Sequence, residues 1–158
     1  MTSSQAENGD VIKVNRGLYS HYGIYVKDSG TVIHYTGATG PADFNGMVRE
    51  TSLEEFLNGA EGFTVCKFEK TPDKLLPSLM MKRRGVFQLW QMIRVLRLMS
   101  YHLYSGAETI ERARSKLGQG GYNLALNNCE HFAVWCKTGV KDSSQVDNIL
   151  DLITYALS

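Results

Sequence analysis

Two β-like runs, residues 21–26 and 31–36, flank the turn sequence Lys27-Asp28-Ser29-Gly30. β-Branched and aromatic residues suit a strand, and the four residues between carry turn chemistry, so the segment predicts a β-hairpin. Side chains alternate along a strand, which puts His21, Gly23 and Tyr25 on one face and Tyr22, Ile24 and Val26 on the other. A four-residue loop pairs Val26 with Thr31, and hence Gly23 with His34. His21 then becomes the diagonal neighbour of His34 on one face, about 7–8 Å away between backbones. A slip of one residue would send the two histidines to opposite faces. Glycine opposite His34 leaves space above the sheet for another group.

A second stretch, from Asn127-Asn128-Cys129-Glu130-His131 to Gly139, reads as a short helix with a cysteine in its first turn. Asn128 suits the N-cap, Glu130 the positive end of the dipole, and Gly139 the C′ position. Free N–H groups and the dipole favour a thiolate there, which makes Cys129 a candidate nucleophile. The free N–H of Cys129 would supply half of an oxyanion hole. His131 follows at i+2, and such pairs do not face each other on a helix. Its expected role is structural.

The chain has 158 residues, enough for one domain. Net charge is +1, which argues against nucleic acid as a partner. Three cysteines without framework spacing, Cys66, Cys129 and Cys136, fit a reducing compartment, and the expected location is cytoplasmic. The polar start lacks a signal-peptide core, and no apolar run is long enough to span a membrane. Residues 1–8 read as a disordered tail and 9–158 as a single domain.

Further elements follow from patterning. Residues 10–15 alternate as a first strand. Thr51-Ser52-Leu53-Glu54 fits a capping box that opens a short helix ended by Gly59. Residues 63–68 alternate as another strand, with Cys66 as a small buried or edge residue. Residues 78–103 carry apolar side chains at helical spacing, and between 82 and 97 they hold Lys82, Arg83, Arg84, Arg94 and Arg97 with no acid. That basic amphipathic helix, with Trp90, either packs on the domain or lies on an anionic surface as a peripheral contact. Residues 107–117 predict a helix using Ile110, Ala113, Arg114 and Leu117, and residues 143–157 a one-sided final helix.

The chemistry these residues allow is a cysteine–histidine site. A thiol nucleophile needs an imidazole base, and the imidazole needs a third group to orient it. Cys129, His21 and His34 would serve in that order. Two strand histidines and one helix cysteine also arise by chance placement in a core or on a surface. His102, beside Tyr101 and Tyr104, reads as partly exposed. Cys129 and Cys136 with the two histidines lack zinc-ligand spacing, so no metal and no cofactor is expected.

The blocks Gly9-Asp10-Val11-Ile12, His21-Tyr22-Gly23-Ile24-Tyr25-Val26, Val32-Ile33-His34-Tyr35 and Asn128-Cys129-Glu130-His131-Phe132-Ala133 resemble the lecithin:retinol acyltransferase (LRAT-like) family. Its relatives include the H-Ras-like-suppressor phospholipases and acyltransferases. The resemblance implies an α+β fold, an antiparallel sheet packed against helices, as a circularly permuted papain-like (NlpC-like) arrangement. It implies Cys129 as the thioester-forming nucleophile, His21 as the base and His34 as the third member. The implied substrate is a phospholipid or other acyl ester. A cysteine amidase or peptidase and a non-catalytic interaction module are the alternatives.

Overall fold

The structure, a computed structural model, describes residues 5–17, 19–36, 46–68, 102–120 and 129–141. Among the described residues, five antiparallel strands form one sheet: β1 (Val11–Asn15), β2 (Ser20–Val26), β3 (Thr31–Thr36), β4 (Met47–Ser52) and β5 (Thr64–Cys66). Their order is β4-β3-β2-β1-β5, so the predicted hairpin lies near the middle. Three helices accompany it among those residues: α1 (Leu53–Leu57), α2 (Gly106–Arg114) and α3 (Cys129–Thr138). The described chain is α+β.

The hairpin has the predicted register, with Val26 opposite Thr31 and Ile24 opposite Ile33. Gly30 closes its turn at a positive φ of 65°, and its N–H reaches the Lys27 carbonyl at 3.3 Å. On one face Val11, Tyr22, Ile24 and Ile33 pack against Phe132 and Ala133 of α3 and against Ile110 and Ala113 of α2. On the other face Ile12, Val14, Val32 and Val65 pack against Phe56 of α1 and Phe63. Strand periodicity thus gives the sheet two buried faces, one under each helical layer.

Three expectations change. Residues 47–52 form a strand that pairs with all of β3, from Thr36–Met47 to Thr31–Ser52. The helix after it is capped by Ser52, whose side chain accepts from the Glu55 N–H, not by Thr51. The capping register moves one residue because Thr51 is still extended and paired with Val32. α2 ends at Arg114, earlier than spacing suggested, and Leu117 is 41% exposed. Lys116, Leu117 and Gln119 follow in turns, and the Gly118 and Gln119 backbone hydrogen-bonds Val48 on the outer edge of β4. Residues 5–8, expected as part of a tail, are packed: Ala6 is buried and Glu7 pairs with Lys27 at 2.8 Å. The expected helix at 78–103, apart from residues 102 and 103, and the one at 143–157 lie outside the described residues, as do Lys82, Arg83, Arg84, Trp90, Arg94, Arg97 and Asn128.

α3 is anchored at its C-terminus. Gly139 adopts the expected left-handed C′ conformation, φ 75°, and its N–H donates to the Trp135 carbonyl at 2.8 Å. Arg112 of α2 donates to the Trp135 and Cys136 carbonyls at 3.0 and 3.2 Å. Its guanidinium stacks between the Tyr104 and Trp135 rings, 4.1 Å from each centroid. A cation therefore neutralises the negative end of the helix whose other end carries Cys129.

Candidate active site

Strand alternation turns His21 and His34 onto the α1 face, and the register makes them diagonal neighbours. His21 Nε2 and His34 Nδ1 are 2.8 Å apart. The rings meet edge-on, centroids 5.0 Å apart and planes at 83°. Both are buried, 6% and 2% exposed. The space over Gly23 is filled by Phe56, whose ring lies 5.2 Å from that of His21 and 5.1 Å from that of His34. An apolar lid on two imidazoles disfavours their charged forms. Burial pushes His21 down to about 3 and His34 to about 4, and the Arg16 guanidinium adds to both effects. Both rings are neutral at pH 7.

The outer nitrogen of His34, Nε2, lies 2.8 Å from the Thr51 hydroxyl oxygen. Thr51 is diagonal to His34 across the β3–β4 ladder, on the same face. Read as a helix cap, Thr51 is missed by sequence reasoning. The alternation of residues 47–51 is the signal that would have placed its side chain with His34. Arg16 is likewise missed: its Nη2 donates to the Phe56 carbonyl at 2.7 Å and so ties α1 to the loop before β2.

Cys129 opens α3 on the opposite layer and packs against the α3-side core. Its thiol donates to the Ser20 carbonyl over 3.8 Å. The Tyr22, Cys129 and Glu130 backbone N–H groups favour the thiolate. Burial outweighs them, and the Glu130 carboxylate opposes them, so the thiol is pushed up from the ordinary range. The expected acidic thiol is thus corrected: the helix N-terminus acts as predicted, but desolvation is the larger effect.

The sulfur's position follows from the ladders. Tyr25 exchanges backbone hydrogen bonds with Gly9 and Asp10 beside β1. By the period of two, the Ser20 carbonyl and Tyr22 N–H point the other way, towards β3. The β2–β3 ladder, however, stops at Ile24–Ile33, while β3 goes on pairing with β4 as far as Thr36. Pairing between β2 and β3 therefore ends here, and the Cys129 sulfur meets the Ser20 carbonyl on the unpaired stretch of β2. On the α1 side His21 and His34 link the two strands beyond the end of that ladder. Among the described residues, no hydrogen bond joins the thiol to either imidazole.

The remaining candidates lie elsewhere. His102 is exposed and meets Tyr104 edge-on at 4.4 Å. His131 is half-buried on α3. Cys66 and Cys136 are buried, and burial pushes both thiols up. Among the described residues there is no group of three or more side chains suited to a metal, and no helix is long and apolar enough to cross a membrane.

Lecithin retinol acyltransferase of Mus musculus is 28% identical over 151 residues, covering 92% of this chain and 60% of that protein. Phospholipase A and acyltransferase 1 of Homo sapiens is 25% identical over 154 residues, 93% of this chain and 76% of that protein. The chain spans about six-tenths of the length of the lecithin retinol acyltransferases it matches. The family model for lecithin retinol acyltransferase matches residues 4–142, from before β1 to past the end of α3. The chain belongs to the lecithin retinol acyltransferase family.

Proposed function

We propose that this protein is a cysteine-dependent acyltransferase or phospholipase acting on lipid esters, with Cys129 as nucleophile, His21 as base and acid, and His34 as the group that orients His21. The observation that carries this reading is the end of the β2–β3 ladder at Ile24–Ile33, beyond which the Cys129 sulfur meets the Ser20 carbonyl and His21 pairs with His34. In the first half-reaction the sulfur bonds to the ester carbonyl carbon while its proton passes to His21. The tetrahedral oxyanion sits beside the Cys129 and Tyr22 N–H groups. Its collapse breaks the acyl C–O bond, and His21 returns the proton to the departing lysophospholipid oxygen. In the second half-reaction an amine, alcohol or water attacks the thioester, its proton passes to His21, and the sulfur leaves and takes it back.

Neutral reactants suit this sequence. Burial keeps both thiol and imidazole uncharged before substrate arrives, so proton transfer is coupled to attack. The same reading makes the fold a circularly permuted papain-like one. The basic stretch at 82–97 would bring the site to an anionic membrane surface from the cytoplasm, as a peripheral contact. The relatives' names, lecithin retinol acyltransferase and phospholipase A and acyltransferase, support a phospholipid as acyl donor.

The test is the intact mass of the protein after incubation with phosphatidylcholine. An added acyl mass on the wild type, absent from Cys129→Ser, is expected. No adduct and no released fatty acid would sink the reading. The raised Cys129 thiol favours a second reading, a non-catalytic interaction module. That reading predicts that alkylating Cys129 leaves function intact.

A further inference from the structure

The reaction proposed above needs a lone pair on His21, and a neutral imidazole has one nitrogen with a proton and one without. His21 Nε2 and His34 Nδ1 are 2.8 Å apart, so one of these atoms donates and the other accepts. The choice is made at the far end of the chain of bonds. His34 Nε2 stands 2.8 Å from Thr51 Oγ1. The Thr51 hydroxyl has one hydrogen, and the Ser52 carbonyl, an acceptor that cannot donate, stands 3.2 Å away to receive it. Its oxygen is left to accept the His34 Nε2–H. A neutral His34 protonated at Nε2 has a bare Nδ1, which accepts the His21 Nε2–H. The remaining nitrogen, His21 Nδ1, holds a lone pair.

We propose that Thr51 is a positioning residue that sets the tautomers of both histidines, and that His21 Nδ1 is the atom that takes the Cys129 thiol proton. The fold supports the assignment at each link. Thr51 is held opposite Val32 in the β3–β4 ladder, which keeps its side chain on the face that carries His34. Ser52 is the N-cap of α1, which fixes the carbonyl that claims the hydroxyl hydrogen. Phe56 of the same helix rests on both rings and keeps water from offering a rival partner. Four groups from three successive elements, β2, β3 and β4, thus form one directed chain: His21, His34, Thr51, then the Ser52 carbonyl.

The second half of the proposal rests on the acyl-transfer reading; the tautomers do not. The experiment separates them. Nitrogen NMR of the full chain with 15N-labelled histidine at pH 7 reports which ring nitrogen carries the proton. The expected result is Nε2–H on both His21 and His34. Thr51→Val keeps the shape and β-branching but removes the acceptor, so His34 should change to the Nδ1–H form, and His21 with it. Acylation of Cys129 by phosphatidylcholine should slow by at least about tenfold, and Thr51→Ser should restore both readouts. An Nδ1–H on wild-type His21, or tautomers unchanged in Thr51→Val, would overturn the proposal; the wild-type spectrum decides even where Thr51→Val does not fold. The predicted tautomers in a wild type that phosphatidylcholine does not acylate would support the Thr51 assignment and count against the acyl-transfer reading alone.

Discussion

Gly23 is the floor on which Phe56 rests. A Cβ at residue 23 would stand 3.0 Å from Phe56 Cε2 and 3.3 Å from His34 Cβ, and would collide with the Val32 side chain. The glycine at this point has an ordinary backbone, so its role is space, not conformation. It lets an aromatic ring from α1 seal two imidazoles from water.

Gly23→Ala should therefore act through sterics. Overpacking in a close-packed core costs about 1–3 kcal/mol. Urea unfolding should show a lower midpoint with an unchanged slope. Because Phe56 must give way along with Val32, the histidines should also become more solvated and titrate closer to the ordinary 6.5, readable from their ring-proton NMR titration. A variant as stable as wild type would show that Val32 and Phe56 can both move aside.

His34→Ala removes the group beside His21 Nε2. The acylation rate of Cys129 should fall about 10²- to 10⁴-fold, and His21→Ala should fall at least as far. Groups that act as a unit are non-additive, so the double variant should be little worse than His21→Ala alone. Single-turnover mass measurements would show this. Additive losses would mean that the two histidines act independently.

Stability should depend on pH through the same pair. Both folded-state values are depressed, to about 3 and about 4 from 6.5. Between those limits the unfolded chain binds protons that the folded chain refuses, so the stability the neutral pair contributes is present above 6.5 and lost as pH falls towards the folded values. Urea midpoints should decline from pH 7 to pH 5. His34→Leu, which no longer titrates, should flatten part of that decline. An identical slope in wild type and variant would assign the effect to other groups.

Cys129 should alkylate with a pH midpoint above the ordinary 9.0, because burial outweighs the N–H groups around its sulfur. The iodoacetamide rate against pH would measure it, with Cys129→Ser as the blank. A midpoint below 9.0 would show that the helix N-terminus wins after all.

Arg112→Lys should not be conservative. The guanidinium stacks on two rings and donates to two carbonyls at the end of α3, geometry an ammonium cannot reproduce. A loss of about 1–3 kcal/mol is expected from stacking and charged hydrogen bonds together. Thermal unfolding would register it. An unchanged midpoint would show that α3 is held by its apolar face alone.

Local patterns were legible where one element decided the outcome. The hairpin register follows from turn length and alternation alone, and with it the shared face of His21 and His34. The Gly139 cap follows from glycine's access to positive φ. The Thr51 and Ser52 assignment was not legible. Either residue can cap a helix, and only pairing along the whole of β3 shows that Thr51 is still in the strand. The end of α2 was hidden for a similar reason: apolar spacing continues to Leu117, but the residues after Arg114 are drawn to the edge of β4.

The sequence by itself determined which chemical groups are available and which lie together on a strand face, because alternation and turn chemistry are local properties of the chain. Tertiary structure alone decided what those groups are. Phe56 makes the imidazoles neutral, Thr51 directs their protons, and the unpaired end of β2 meets the Cys129 sulfur. Desolvation and hydrogen-bond partnership depend on which distant segments meet, so no local pattern contains them.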